Sequence, residues 1–215
     1  ALQAAVRLLE GVLLCIVISA AINHKSQITN HKQYPNSNDQ STTLLRFGIL
    51  AAFIAGAALQ ALLGIYQFLS QSSFASTLLG MAVHDPRALG TSVVEFGEER
   101  WLRAYGGLPH PNVLGGYLVM ALAVALITWS RLNEGARWQR LLLKVAVSVL
   151  LTGIFFSFSR AAWIAALVIL VVFWCGLKLT VVSFRPQRIF AVLMSFYVVG
   201  LSFVFRPLVA TRIFH

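Results

Sequence analysis

Arg103, His110 and Asn112 lie in one short stretch, and Arg160 follows at the tip of a later hairpin between apolar runs. These are residue types that handle anions. A guanidinium fork takes two phosphate oxygens at once and stays charged at any working pH. Two forks converging near a helix start would suit a pyrophosphate, and in an apolar chain the substrate they imply is a phosphorylated lipid. His110 is bracketed by Pro109 and Pro111. Each proline fixes its own φ and pushes the residue before it into extended conformations. The imidazole is therefore presented from a stiff, non-helical segment, where it could serve as a base. Asn112 stands at the natural N-cap of a helix expected from Val113, its side-chain oxygen able to accept an amide two or three residues on. Gly106 and Gly107 allow a tight turn or close backbone approach, and Gly115 and Gly116 leave the first helical turn uncovered. A helix start with bare amides attracts phosphate.

Each of these features also has a plainer reading. An arginine at the end of a membrane span often anchors a headgroup; Arg103 and Arg160 both lie on the side that the positive-inside rule disfavours, which tilts them toward binding. His110 reads as a base or as a hydrogen-bonded turn residue, with the balance toward the second. Asn112 reads more readily as a cap than as a ligand. Gln60, Gly64 and Gln67 share one helical stripe that should face protein or a cavity rather than lipid, as interhelical glue before a substrate path. Glu95, Glu98 and Glu99 could form a metal or acid site, but a solvated acidic turn is the better account.

The elements that must position these residues are apolar helices. Of 215 residues, 58% are hydrophobic and only 11% charged, more apolar surface than a soluble domain of this size could hide. The net charge of +10 sits in short loops between apolar runs, where it sets orientation and meets the lipid bilayer, so nucleic acid is not expected as a partner. Cys15 and Cys175 lie within apolar windows without metal-ligand spacing and read as small hydrophobes; neither a disulfide framework nor a metal site is indicated. The expected fold is an all-α polytopic transmembrane bundle, a single domain of about six spans, at 4–22, 47–69, 113–129, 141–158, 161–177 and 189–205. Loops are expected at 23–46, 130–140 and 178–188, and a long connection at 70–112 carries the main motif, with a short interfacial apolar piece at 74–83. From Arg206 onward the chain looks like the start of another loop. Lys and Arg crowd the first three loops, which places those on the cytoplasmic side and the 70–112 connection, Arg160 and the tail outside. All five tryptophans fall near proposed span boundaries, as an aromatic belt requires. The chain begins at Ala1 and stops at His215 just after an apolar run, and reads as a fragment of a longer polytopic protein.

Arg103 to Tyr117 closely resembles the motif of the O-antigen ligase and polymerase superfamily, in which an arginine, a glycine turn and His-Pro-Asn precede a transmembrane helix. Ser92-Val93-Val94-Glu95 before it, and Phe158-Ser159-Arg160-Ala161-Ala162-Trp163 after it, look like the same family's flanking and second motifs in the right order. The resemblance covers about Leu63 to Trp174. It implies a GT-C-like membrane glycosyltransferase at the periplasmic face of the bacterial inner membrane. Such an enzyme moves a glycan from an undecaprenyl-pyrophosphate carrier to lipid A core, to a growing polysaccharide or to protein, and needs no cofactor, nucleotide sugar or metal. Residue by residue, Arg103 and Arg160 match the family's arginines and would contact pyrophosphate, while His110 and Asn112 match the His-Pro-Asn element that shapes the site. The histidine base expected in a large loop after Arg206 has no counterpart here; His215 is not a match to it, and the 215-residue chain alone is expected to be inactive.

Two other classes are weighed against this one. A transporter or channel subunit would place ionisable groups and broken helices near the bilayer midplane, often in repeated halves; here charges cluster at span ends and no internal repeat is found. A non-catalytic lipid-binding assembly subunit would keep the arginine site but need no base.

Overall fold

The computed structural model describes residues 37–76, 81–132, 135–179, 194 and 197–214. Within them the chain runs α1 (Ser37–Ser70), β1 (Val93–Phe96), β2 (Glu99–Leu102), α2 (Pro111–Arg131), α3 (Arg137–Phe156), α4 (Arg160–Leu179) and α5 (Arg206–Phe214), with residues 197–204 also helical. The chain divides into two compact units, Ala1–Gly56 and Ala57–His215. The first contributes the leading part of α1 to the described residues; the second holds everything that follows.

The fold is mostly helical, and three helices are long and apolar enough to cross a membrane: Gly48–Ser70, Pro111–Arg131 and Arg137–Phe156. A shorter apolar helix covers Arg160–Phe173. The span expected at 4–22 lies outside the described residues, as do most of the loops expected at 23–46 and 178–188.

Several boundaries depart from the sequence reading. Residues 37–46, expected in a polar loop, already belong to α1. No Pro or Gly interrupts them. Residues 137–140, expected in a basic loop, open α3. Arg206 onward, expected as loop, is helical; Pro207 falls in the first turn, where its missing amide N–H is no loss. The 70–112 connection adds a strand pair to an expectation of helices alone. β1 and β2 form an antiparallel hairpin with Val93 opposite Leu102 and Glu95 opposite Arg100, turned at Gly97 with φ +62°. Val93, Val94 and Trp101 are the residue types that favour a pleated, half-buried surface. Its acids, Glu95, Glu98 and Glu99, are exposed. In the 74–83 piece, expected at the interface, the described residues hold an isolated bridge between Ser76 and Met81.

α2 is the hub of the second unit. Leu114, Leu118, Ala121, Leu122, Ala125 and Trp129 are buried along it, while α3 and α4 present Leu142, Val145, Ile164 and Leu167 outward. Without a hydrophobic drive between helices in lipid, close approach depends on small residues. A Cβ on Gly153 of α3 would come within 2.8 Å of Ala61 Cβ and Leu118 Cδ1. One on Gly115 of α2 would come within 2.8 Å of Ala162 Cβ on α4.

At one end of this bundle sits an aromatic cluster. Phe68 stacks on Phe156 with ring centroids 4.3 Å apart and meets Phe158 and Phe205, while Trp163 lies against Phe155 and Phe158. The cluster holds the α3–α4 corner, where Phe158 takes a left-handed φ of +46°. A non-glycine residue in that region costs roughly 1–2 kcal/mol. Each aromatic pair contributes about 0.5–1.5 kcal/mol beyond burial, enough to hold Phe158 there.

Candidate functional site

The corner fixes the carbonyl of Ser157, and that carbonyl receives the first of the predicted site residues. Arg103, only 3% exposed, donates from Nε to Ser157 O at 2.8 Å and from Nη2 to Asn112 Oδ1 at 2.7 Å. Its neighbour Ala104 donates its amide to Phe156 O at 3.0 Å. Two segments more than fifty residues apart in sequence are thus tied at one point, the first following β2 and the second joining α3 to α4.

The start of α2 differs from the sequence reading in one atom-level respect. Its N-cap is His110, with φ −152° and ψ 141°, and not Asn112. Pro111 takes the first helical position, where its fixed φ is pre-organised and no amide is lost, so the cap must be the residue before it. His110 Nδ1 accepts from the Asn112 amide at 3.1 Å, and His110 O accepts from the amides of Val113 and Leu114. The amides expected to stand bare for an anion are therefore committed to His110. That removes the helix start itself as a phosphate cradle.

The same geometry assigns the histidine its tautomer. A nitrogen that accepts an amide N–H carries no proton, so the ring proton sits on Nε2. Nε2 lies 2.9 Å from Ser92 Oγ and donates to it. His110 and Ser92 look like a base and a nucleophile, yet in this arrangement the histidine gives a hydrogen bond where a base would have to receive one. Ser92 is tied down further: its amide donates to Tyr105 Oη at 2.6 Å, and its carbonyl accepts from Arg103 N at 3.4 Å.

The glutamine stripe of α1 faces this segment. Gln67 Oε1 accepts from Gly106 N at 2.8 Å and Tyr105 N at 3.2 Å, and its Nε2 donates to Gly106 O at 2.9 Å. Gln60 Oε1 accepts from Gly107 N at 2.7 Å. Gly106 adopts φ +60°, and a Cβ there would meet Gln60 O and Leu114 Cδ1 at 3.0 Å. The turn needs glycine for both reasons.

Arg103, His110 and Asn112 are thus brought together, but Arg103 and His110 act mainly on the protein itself. Arg160 is the exposed first residue of α4, three positions beyond Ser157, and no contact joins it to the other three among the described residues. Asn112 is exposed, as is Pro109. The residues that sequence reasoning leaves without a role are Ser92, Tyr105, Ser157 and His84. His84 stacks on Tyr105 with ring centroids 3.9 Å apart, and desolvation by burial lowers its pKa while a hydrogen bond with the Ala82 backbone opposes the shift. Nothing in the sequence singles out His84. Among the described residues no group of His, Cys, Asp and Glu is placed to hold a metal ion.

Comparison with protein-family models, with curated proteins and with solved structures returns no match to this chain.

Proposed function

We propose that this chain is part of a membrane glycosyltransferase of the O-antigen ligase and polymerase kind, one that transfers a glycan from an undecaprenyl-pyrophosphate carrier to an acceptor at the extracytoplasmic face. The observation that carries the reading is the tie from Arg103 to Ser157 O, which puts the two motifs of the resemblance at one end of an apolar bundle. A pyrophosphate leaving group gains negative charge as the sugar departs, and fixed positive charge is most effective where charge develops. Arg160 is a guanidinium exposed at that end. Arg103, buried and engaged through Nε and Nη2, is assigned a positioning role: it orients Asn112 and the α3–α4 corner rather than gripping phosphate directly. His110 caps α2 in the same frame.

Transfer of carrier-linked glycan in membranes containing the full-length protein tests this. Arg160→Ala is expected to abolish transfer with expression and insertion intact, and Arg160→Lys to rescue only in part, because an ammonium lacks the fork. Unchanged transfer in Arg160→Ala would sink the assignment.

A further inference from the structure

The hydrogen bond from Arg103 to Asn112 fixes the direction of an exposed amide. A guanidinium only donates, so the Asn112 atom that faces it, 2.7 Å from Nη2, is the oxygen. Nδ2 is therefore turned away from Arg103. Asn112 is exposed, its Oδ1 and its backbone amide are both engaged, and its Nδ2 has no acceptor among the described residues. The bond also changes what that amide can do. Ser157 O and Asn112 Oδ1 are neutral acceptors, which share the charge of Arg103 without cancelling it. An amide whose oxygen accepts from a cation is polarised, and its N–H groups become stronger donors. Arg103, 3% exposed, is too buried to grip a ligand itself; through Asn112 its charge is felt at the surface.

What the amide presents decides the ligand. With Oδ1 taken, Asn112 offers donors only, and so does the exposed Arg160. The starts of α2 and α4 lie side by side: a Cβ on Gly115, one turn after Asn112, would come within 2.8 Å of Ala162 Cβ and 3.0 Å of Ser157 Oγ. A sugar hydroxyl both donates and accepts, and is served by a mixed set of groups. An oxyanion only accepts, and is served by donors alone. The space beside the amide is open along the helix face. Val113 is 42% exposed, and nothing lies within 4 Å of a Cβ on Gly116, which follows Asn112 at i+4 on the same stripe. An anion carried on a lipid can enter along that side of α2.

We propose that Asn112 Nδ2 donates to a phosphate oxygen of the lipid-linked diphosphate, and that the buried Arg103 acts on the diphosphate through this amide. The assignment rests on the carrier reading above and adds to it a contact residue beside Arg160, with Arg103 as its positioning residue.

Asn112→Asp separates this role from a structural one. Aspartate keeps the size and the oxygen facing Arg103, and an acid in the first turn of a helix suits its dipole, so the tie to Arg103 survives while both N–H donors are lost. Purified full-length protein is titrated with undecaprenyl diphosphate and, separately, with inorganic pyrophosphate, and thermal unfolding is followed in parallel, for wild type, Asn112→Asp and Leu89→Asp. Leu89 is 98% exposed, so its variant adds the same charge to the 70–112 connection at a side chain that touches almost nothing. Given the strength of hydrogen bonds to charged groups, Asn112→Asp should bind undecaprenyl diphosphate at least about tenfold more weakly while unfolding at or above the wild-type temperature. Leu89→Asp should bind as wild type does. Wild-type affinity in Asn112→Asp, an equal loss in Leu89→Asp, or a loss in Asn112→Asp accompanied by a lower unfolding temperature would overturn the proposal and leave the carrier reading standing. Inorganic pyrophosphate bound as tightly as the carrier would make this a free-anion site and overturn it as well. A wild-type protein that binds neither ligand would overturn the proposal and the carrier reading together.

Discussion

Gln67 serves three backbone groups with one amide side chain while only 1% exposed. Its removal would be felt more than its hydrogen bonds suggest, because a buried amide or carbonyl left unsatisfied costs about 1–3 kcal/mol each, more than a made bond contributes. Gln67→Leu keeps the bulk and strands Tyr105 N, Gly106 N and Gly106 O; it should lower the midpoint of thermal unfolding in detergent by many degrees. Gln67→Glu should not rescue it, since a carboxylate can accept both amides but cannot donate to Gly106 O, and it would be a buried charge. Gln60→Leu strands one half-buried amide, at Gly107, and should cost less. A Gln67→Leu protein as stable as wild type would show that the glycine turn is held by other means. His110 belongs to the same scale. Its identity is decided by two acceptor and donor positions on one ring, and the tautomer that caps α2 is the one that cannot also take a proton from Ser92.

Helices here meet through glycines, and the glycines are not equivalent. Gly153 is closed in by Ala61 and Leu118, with Ala61 Cα only 3.1 Å from where its Cβ would lie, whereas Gly116 on α2 has nothing within 4 Å. Gly153→Ala pushes α3 away from α1 and α2, an overpacking that costs about 1–3 kcal/mol. Gly116→Ala gains helix propensity of about 0.5–1 kcal/mol and meets no obstacle. Thermal unfolding of the two variants should therefore move in opposite directions; a shift of the same sign in both would mean that the α1–α3 approach is not close. The long apolar runs make these helices legible, because 17 or more hydrophobic residues in a row admit few other structures. Boundaries are less legible. Hydropathy reports where the lipid begins, while α1 and α3 continue into polar residues that permit helix without favouring membrane. Pro111 is a readable start signal, yet His110 is not a usual cap, so the eye moves to Asn112. Least legible is the pairing of Arg103 with Ser157, since nothing in either segment says which corner the other will face.

On the scale of the whole molecule, the connection between α1 and α2 behaves as a lid of polar bonds over one end of an apolar bundle, and His84 is the group through which acid can reach it. His84 stacks on Tyr105, Tyr105 accepts from Ser92, and Ser92 meets His110, so disturbance at His84 falls on the same frame that holds Arg103. His84 Nδ1 is buried with no hydrogen-bond partner among the described residues. Burial disfavours the charged imidazolium by more than the hydrogen bond with the Ala82 backbone favours it, and the pKa is lowered. The folded state thus favours neutral imidazole more than the unfolded chain does, and the unfolded chain binds the extra proton. This contribution to stability is complete above the ordinary histidine value of 6.5 and is lost as pH falls through it toward the lower folded value. The unfolding midpoint of the purified protein should drop between pH 7 and pH 5. In His84→Phe, which keeps a ring to stack on Tyr105 and removes the titrating group, the drop should shrink. If His84→Phe loses stability with acid as steeply as wild type, the sensitivity lies in other groups, and His84 serves Tyr105 only as a packing surface.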